Sequence, residues 1–148
     1  MTTQTLRWGL LSTARINKAL IPPLRLSKRN TLQAVASRSQ EKADAYAREQ
    51  KIQRAYGSYE ALLADPEIDV IYNPLPNHLH TEWSIKAVEA GKHVLCEKPL
   101  ALSLADVDAM AAAVGKTGRI IAEAFAYRAH PHMQKVKEIV NNGKLGKI

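Results

Sequence analysis

Short apolar runs alternate with helix-period segments from one end of this chain to the other. Leu6–Leu11 carries no charge after Arg7, and residues 32–37, Arg54–Tyr56, Val70–Asn73, His93–Cys96 and 119–123 repeat the theme. Runs of this length, bounded by turn residues and separated by helical segments, predict the strands of a parallel sheet. The helices between them have caps that can be read directly. Ser39 predicts a start for a helix to about Gln50, with Glu41 in its first turn favoured by the dipole. Ser58 predicts a second helix, through Ala64, which Asp65-Pro66 stops. A helix over 81–90 is expected to follow an Asn77 cap and end at Gly91. Ser103 and Asp106 form a capping-box pattern opening 104–116, where Leu104, Val107, Met110 or Ala111, and Val114 share a face expected to pack into the core. The first helix, over 14–26, contains Pro22-Pro23, so a kink or break is expected there.

Six strands in two βαβαβ halves predict an α/β fold: a doubly wound, parallel, six-stranded Rossmann sheet of order 3-2-1-4-5-6. In such sheets ligands cross the carboxyl ends of the first and fourth strands. Residues 131–142 read as a further helix with Met133, Val136 and Ile139 or Val140 on one side. Gly146-Lys147-Ile148 reads as the opening of another strand, which suggests a piece of something longer. The expected division is a dinucleotide-binding domain over 1–125, then a connecting helix and the start of a further domain over 126–148.

Composition narrows the function classes. At 148 residues, 46% hydrophobic and 24% charged, the chain is an ordinary globular domain's worth. No apolar run reaches the roughly 20 residues that span a bilayer, and residues 1–5 show no signal-peptide pattern. The single Cys96 precludes an intrachain disulfide, which fits a cytoplasmic protein. A net charge of +7 suits an anionic cofactor or an acidic surface. The basic residues are scattered, aromatics are only 5%, and no nucleic-acid-binding motif is present, so nucleic acid is not an expected partner.

Candidate chemistry gathers at strand ends. Lys98 in Glu97-Lys98-Pro99 leaves the fifth strand, and Pro99 restricts its backbone, so the ammonium is either aimed into the ligand crevice or opens a surface loop. After strand one comes Gly9-Leu10-Leu11-Ser12-Thr13-Ala14-Arg15-Ile16-Asn17. Aligned on G-x-G-x-x-G/A, Ser12, Ala14 and Asn17 replace all three small positions. It is either an ordinary βα turn or a phosphate turn using hydroxyls and Arg15. At the end of strand two, Ser37-Arg38 with Lys42 beyond stands where an acid would select NAD. A guanidinium there suits a 2′-phosphate and favours NADP, unless Arg38 is simply solvated before a helix. His80 either faces the cofactor cleft or is a satisfied structural histidine. His78 and His80 lack metal-ligand spacing, and no metal site is expected.

Four segments together resemble the Gfo/Idh/MocA oxidoreductases, the relatives of glucose–fructose oxidoreductase and inositol dehydrogenase. They are Trp8 to Ile16, Pro76-Asn-His-Leu-His80, Glu97-Lys98-Pro99 and Glu123-Ala-Phe-Ala-Tyr-Arg128. The first and last look most like the NADP-dependent sugar and dihydrodiol dehydrogenase branch. The resemblance implies that Ser12, Thr13, Ala14, Arg15 and Ile16 bind pyrophosphate and that Ser37 and Arg38 bind the adenosine ribose phosphate. It implies that Pro74, Leu75, Pro76 and Asn77, with His80, Glu97 and Lys98, serve the nicotinamide end. Lys98 would be catalytic at a substrate hydroxyl, with Tyr127 and Arg128 on the substrate side. The expected function is the nucleotide-binding half of an NAD(P)-dependent oxidoreductase, moving hydride between nicotinamide and a sugar-like alcohol or carbonyl. The alternative is a non-catalytic dinucleotide-binding module. Family members also carry a second α+β domain, used for substrate and for homo-oligomer contacts. That domain is absent here, so the isolated chain is expected to be inactive.

Overall fold

A computed structural model of the chain describes residues 5–147; Met1 to Gln4 and the Ile148 end of the last strand signal lie outside the described residues. Six parallel strands form one sheet in the order β3-β2-β1-β4-β5-β6, as the alternation predicts. They are β1 (Leu6–Leu11), β2 (Asn30–Ala36), β3 (Arg54–Tyr56), β4 (Val70–Asn73), β5 (His93–Cys96) and β6 (Ile121–Glu123). The helices are α1 (Asn17–Leu26), α2 (Gln40–Glu49), α3 (Tyr59–Leu63), α4 (His80–Glu89), α5 (Leu104–Thr117) and α6 (Pro131–Asn141). Ser39, Ser58 and Ser103 cap α2, α3 and α5 by accepting the backbone N–H groups of Lys42, Ala61 and Asp106.

The central strands are buried on both faces because helices cover both. Leu10, Val35 and Tyr72 pack with Ile21 of α1 and Ala47 of α2. Their neighbours Leu11, Ala36 and Ile71 point the other way, onto Leu62 of α3 and Trp83 and Val88 of α4. Gly9 permits the close approach of α3: a Cβ there would stand 3.0 Å from Leu62 Cδ1. At the amino ends of the strands an ion-pair network closes the sheet. Arg7 clamps Asp69 through Nε and Nη at 2.9 Å each, and Arg54 pairs with Asp65 at 2.8 Å and with Glu67. Among the described residues, no helix is long and apolar enough to cross a membrane.

Several local expectations change. Helix α1 begins at Asn17, three residues later than its pattern suggests, and continues through Pro22 and Pro23 to Leu26 without a break. The face of α5 is displaced. Met110 and Ala113 are buried, whereas Leu104 is 83% exposed and Val107 is exposed. Asn77 does not cap α4; it opens a 3-10 turn, Asn77–Leu79, that leads into the helix. Gly146 and Lys147 form no strand. The apolar side of α6, with Met133, Val136 and Val140, is exposed.

Candidate functional site

The carboxyl end of β1 delivers Ser12 in the left-handed region, at φ 103°. Glycine occupies such positions at no steric cost, and a serine held there costs about 1–3 kcal/mol. Two hydrogen bonds hold it. Its N–H donates to Ala36 O at 3.0 Å, and its carbonyl accepts Asn17 Nδ2 at 2.9 Å. Asn17 is fully buried, so the residue that spoils the glycine pattern is the staple of the turn. Ser12 Oγ, Asn17 Oδ1 and the Tyr46 hydroxyl are buried without a hydrogen-bond partner. Burial raises the Tyr46 pKa, and the adjacent Asn17 side chain opposes that shift.

Beyond Ser12 the chain makes an open turn before α1. The N–H groups of Thr13, Ala14, Arg15 and Ile16 donate to no acceptor among the described residues, whereas those of Asn17, Lys18 and Ala19 bond back to the turn carbonyls. Consecutive unpartnered amides next to a helix start make a nest of N–H groups of the kind that suits an anion.

A cleft of about 490 Å³ opens beside this nest, lined by Ser12, Thr13, Ala14, Ser37, Arg38, Ser39, Lys42 and Tyr59. No carboxylate is among them. Ser37 is buried and anchored by its N–H to Tyr56 O at 2.9 Å, while Arg38 and Lys42 are exposed. Tyr59 forms the floor, set edge-on against Trp83 with ring centroids 5.0 Å apart. Burial raises the Tyr59 pKa, and Arg38 acts the other way, which puts the guanidinium's field at this end. A second hollow of about 470 Å³ shares Ser12, Ala14, Arg38 and Tyr59 and continues along Pro74, Leu75 and Pro76 to His78. The two make one groove across the ends of β1, β2 and β4. Arg15 and Ile16 line a separate shallow hollow with Lys18 and Ala19.

The loop after β4 is organised by a residue the sequence reading passed over. Asn73 is fully buried; its Nδ2 donates to His80 O at 3.2 Å and Ser84 Oγ at 3.1 Å, and its Oδ1 accepts Leu75 N–H at 3.3 Å. The turn after β5 is equally well held. Glu97 N–H donates to Asn73 O at 3.0 Å, and Leu100 N–H donates to Glu123 Oε1 at 2.8 Å. The Lys98–Pro99 peptide bond is cis. Lys98 itself is exposed, and its ammonium has no ion pair or hydrogen bond among the described residues.

Asn77, His80, Glu97 and Lys98 line neither hollow of the groove. Glu97 points to the α1 side, into an apolar hollow of about 530 Å³ with Leu20, Pro23, Leu95 and Phe125. There its Oε1 accepts the buried Tyr72 hydroxyl at 2.5 Å, and burial followed by the nearby Glu97 pushes the Tyr72 pKa up. His80 has no exposed surface, and its two ring nitrogens face the backbone carbonyls of Pro99 and Leu75. Tyr127 and Arg128 are exposed in a 3-10 turn, Ala126–Ala129, just after β6, the strand beside the one that delivers Lys98. Among the described residues, no group of three or more His, Cys, Asp or Glu side chains converges.

Comparison with known proteins agrees with this geometry. Residues 6–125 match the GFO_IDH_MocA oxidoreductase family, described by its NAD-binding Rossmann fold. D-xylose 1-dehydrogenase (NADP(+)) 2 of Haloferax volcanii is 45% identical over 134 residues, covering 90% of this chain and 41% of the relative. Trans-1,2-dihydrobenzene-1,2-diol dehydrogenase of Xenopus laevis is 36% identical over 96% of this chain and 44% of its own length. A crystallised 3-ketoreductase from Actinomadura kijaniata in complex with NADP superposes with a TM-score of 0.88 at 31% identity, covering 98% of this chain and 46% of that one. The chain thus spans less than half the length of the relatives it matches.

Proposed function

The chain belongs to the Gfo/Idh/MocA family of oxidoreductases with an NAD-binding Rossmann fold, and from that premise we propose that it binds NADP as the nucleotide-binding half of a sugar-type oxidoreductase. The observation that carries the reading is the groove: four unpartnered amides over residues 13–16 lead into a cleft that holds Ser37, Arg38 and Lys42 and no carboxylate. The amides suit a pyrophosphate, and the cations suit a 2′-phosphate, which an acidic side chain would repel. The NADP in the names of the xylose dehydrogenase and of the ketoreductase complex supports the same choice.

Bound nicotinamide supplies hydride chemistry. In this reading residues 74–77 line its ribose, and Lys98 presents an unpaired ammonium to the substrate oxygen, where charge develops, with Tyr127 and Arg128 on the substrate side. The substrate class is a sugar-like alcohol or carbonyl. Proton transfer needs a general acid or base, which we assign to the additional sequence the longer relatives carry. The purified 148 residues are therefore expected to bind cofactor without turning over simple sugars.

Titrating NADPH and NADH into the chain, followed by nicotinamide fluorescence, tests the assignment. Saturable binding is expected, tighter for NADPH. No saturation by either cofactor defeats the dinucleotide reading, and tighter NADH binding defeats the phosphate preference alone.

A further inference from the structure

Two apolar surfaces of this chain stay uncovered, and their chemistry is complementary. The first is the hollow of about 530 Å³ on the α1 side of the sheet, where Leu20 and Pro23 stand with Leu95 and Phe125. Val94 and Cys96 turn the other way, onto Ala87 of α4 and Ala113 of α5, whereas Leu95 and Phe125 stay only partly buried. Two carboxylates, Glu97 and Glu123, line the hollow, and among the described residues no cation does. The second surface is α6. Met133, Val136 and Val140 fall at i, i+3 and i+7 on it and are exposed. Lys137, one turn beyond Met133, stands beside that stripe and has no ion pair among the described residues. Glu138, on the opposite face, pairs with Lys135 at 2.9 Å.

An apolar helix stripe carrying one free cation suits an apolar hollow carrying two carboxylates. The chain's own α6 is badly placed to fill it. The helix begins at Pro131, two residues past Ala129 on the rim of the hollow. His130 caps it by accepting the N–H of His132, and Gln134 donates to Arg128 O, so the turn fixes the direction in which the helix leaves. We propose that a second copy of this chain is the occupant: α6 of each copy docks its Met133, Val136 and Val140 face into the hollow of the other.

Such an exchange is reciprocal and closes at two copies about a two-fold axis. Because α6 starts at the rim of its own hollow, both contacts lie beside that axis. An 11-residue helix is about 16 Å long, so each copy offers a short face and the dimer is of the weak kind that small interfaces make. The hollow shares no lining residue with the groove across β1, β2 and β4, so the docking surface is separate from the proposed cofactor site.

Sedimentation equilibrium of the 148-residue chain, from about 1 μM to 1 mM, tests this. The average mass is expected to climb from 16.4 kDa toward twice that value and stop there. Val136→Asp on α6 and Ala19→Arg at the mouth of the hollow, both at exposed positions, should each weaken the dimer at least about tenfold with unchanged circular dichroism. An equimolar mixture of the two variants keeps one sound helix and one sound hollow, so it should associate more tightly than either variant alone. Lys137→Glu removes two charges from the net +7 and so lessens the general repulsion between copies. It should nonetheless weaken the dimer, because it sets an acid beside Glu97 and Glu123. A single 16.4 kDa species throughout overturns the proposal, as does a mass that passes two copies. So do a mixture no tighter than its components and a Lys137→Glu chain that associates more tightly. A monomer in which nuclear Overhauser contacts join Val136 to Phe125 gives the hollow to the chain's own α6 and overturns it too. If either apolar-site variant loses its helical signal, the exposed Lys137→Glu change decides.

Discussion

Replacing Asn17 by alanine tests the claim that a buried amide does the work of a glycine in the phosphate turn. The change removes the 2.9 Å bond from Nδ2 to Ser12 O. An acceptor left unpaired in a buried setting costs about 1–3 kcal/mol. Part of that is offset, because Asn17 Oδ1 is itself buried without a partner and its desolvation cost disappears with the side chain. The net loss of stability should be about 1–2 kcal/mol. In urea the midpoint should fall at unchanged m-value, since the exposed area on unfolding is the same. The functional effect is separate. Released from its staple, Ser12 can leave φ 103°, and the turn that carries the free amides of residues 13–16 loses its anchor. NADPH and NADH share the pyrophosphate, so both affinities should drop by a similar factor, about tenfold for 1.4 kcal/mol. Unchanged stability together with unchanged affinity for both cofactors would refute the staple. A loss confined to NADPH would show that Asn17 acts on the 2′-phosphate end.

Arg38→Ala should weaken NADPH binding by at least about tenfold, the low end for a lost charged hydrogen bond, and leave NADH unaffected; equal losses would place Arg38 outside the phosphate site. Lys98→Met, in a form of the protein that turns over, should lower kcat by about 10²–10³ and leave the fold intact, and near-normal kcat would remove Lys98 from the chemistry. The Arg7 clamp, through its side-chain hydrogen bond to Asp69 first, holds the Asp69 carboxyl below its ordinary range. A depressed folded value means that the stabilisation is present above the unfolded pKa, about 3.9, and is lost as pH falls through the folded one. Acid unfolding of Asp69→Asn, followed by circular dichroism, should therefore lose part of its slope in the window below about pH 4, and an identical pH profile would contradict the assignment.

What sequence reading reaches here is set by the range of the interaction. Strand runs and serine caps are local, and β1, β3, β4 and β5 and the starts of α2, α3 and α5 fall where their own residues put them. Strand order follows from chain connectivity, because α/β crossovers are right-handed and short. The face of α5 was not legible, since period alone does not say which side of a helix the sheet lies on. Leu104 and Val107 occupy the same stripe as Met110 but stay exposed.

The site shows the same limit more sharply. Ser12, Ser37 and Arg38 could be placed because strand ends bring them together. Asn73 and Tyr72 could not, because their importance lies in partners 7 to 25 residues away. The sequence offered one usable signal for them: Asn73 is an amide ending an otherwise apolar strand, and a polar group in that position must find partners. Asn17 extends the point. A glycine fingerprint encodes the demand that the backbone adopt a left-handed turn near an anion. This chain meets the demand by a different route, with a strained serine and a distant amide that holds its carbonyl. Pattern matching scores such a turn as three failures, whereas the turn still leaves four unpartnered N–H groups, those of residues 13–16, at the helix start. For a turn of this kind, the predictive question is what holds the first residue at positive φ, and a buried Asn five positions on is an answer that a sequence can show.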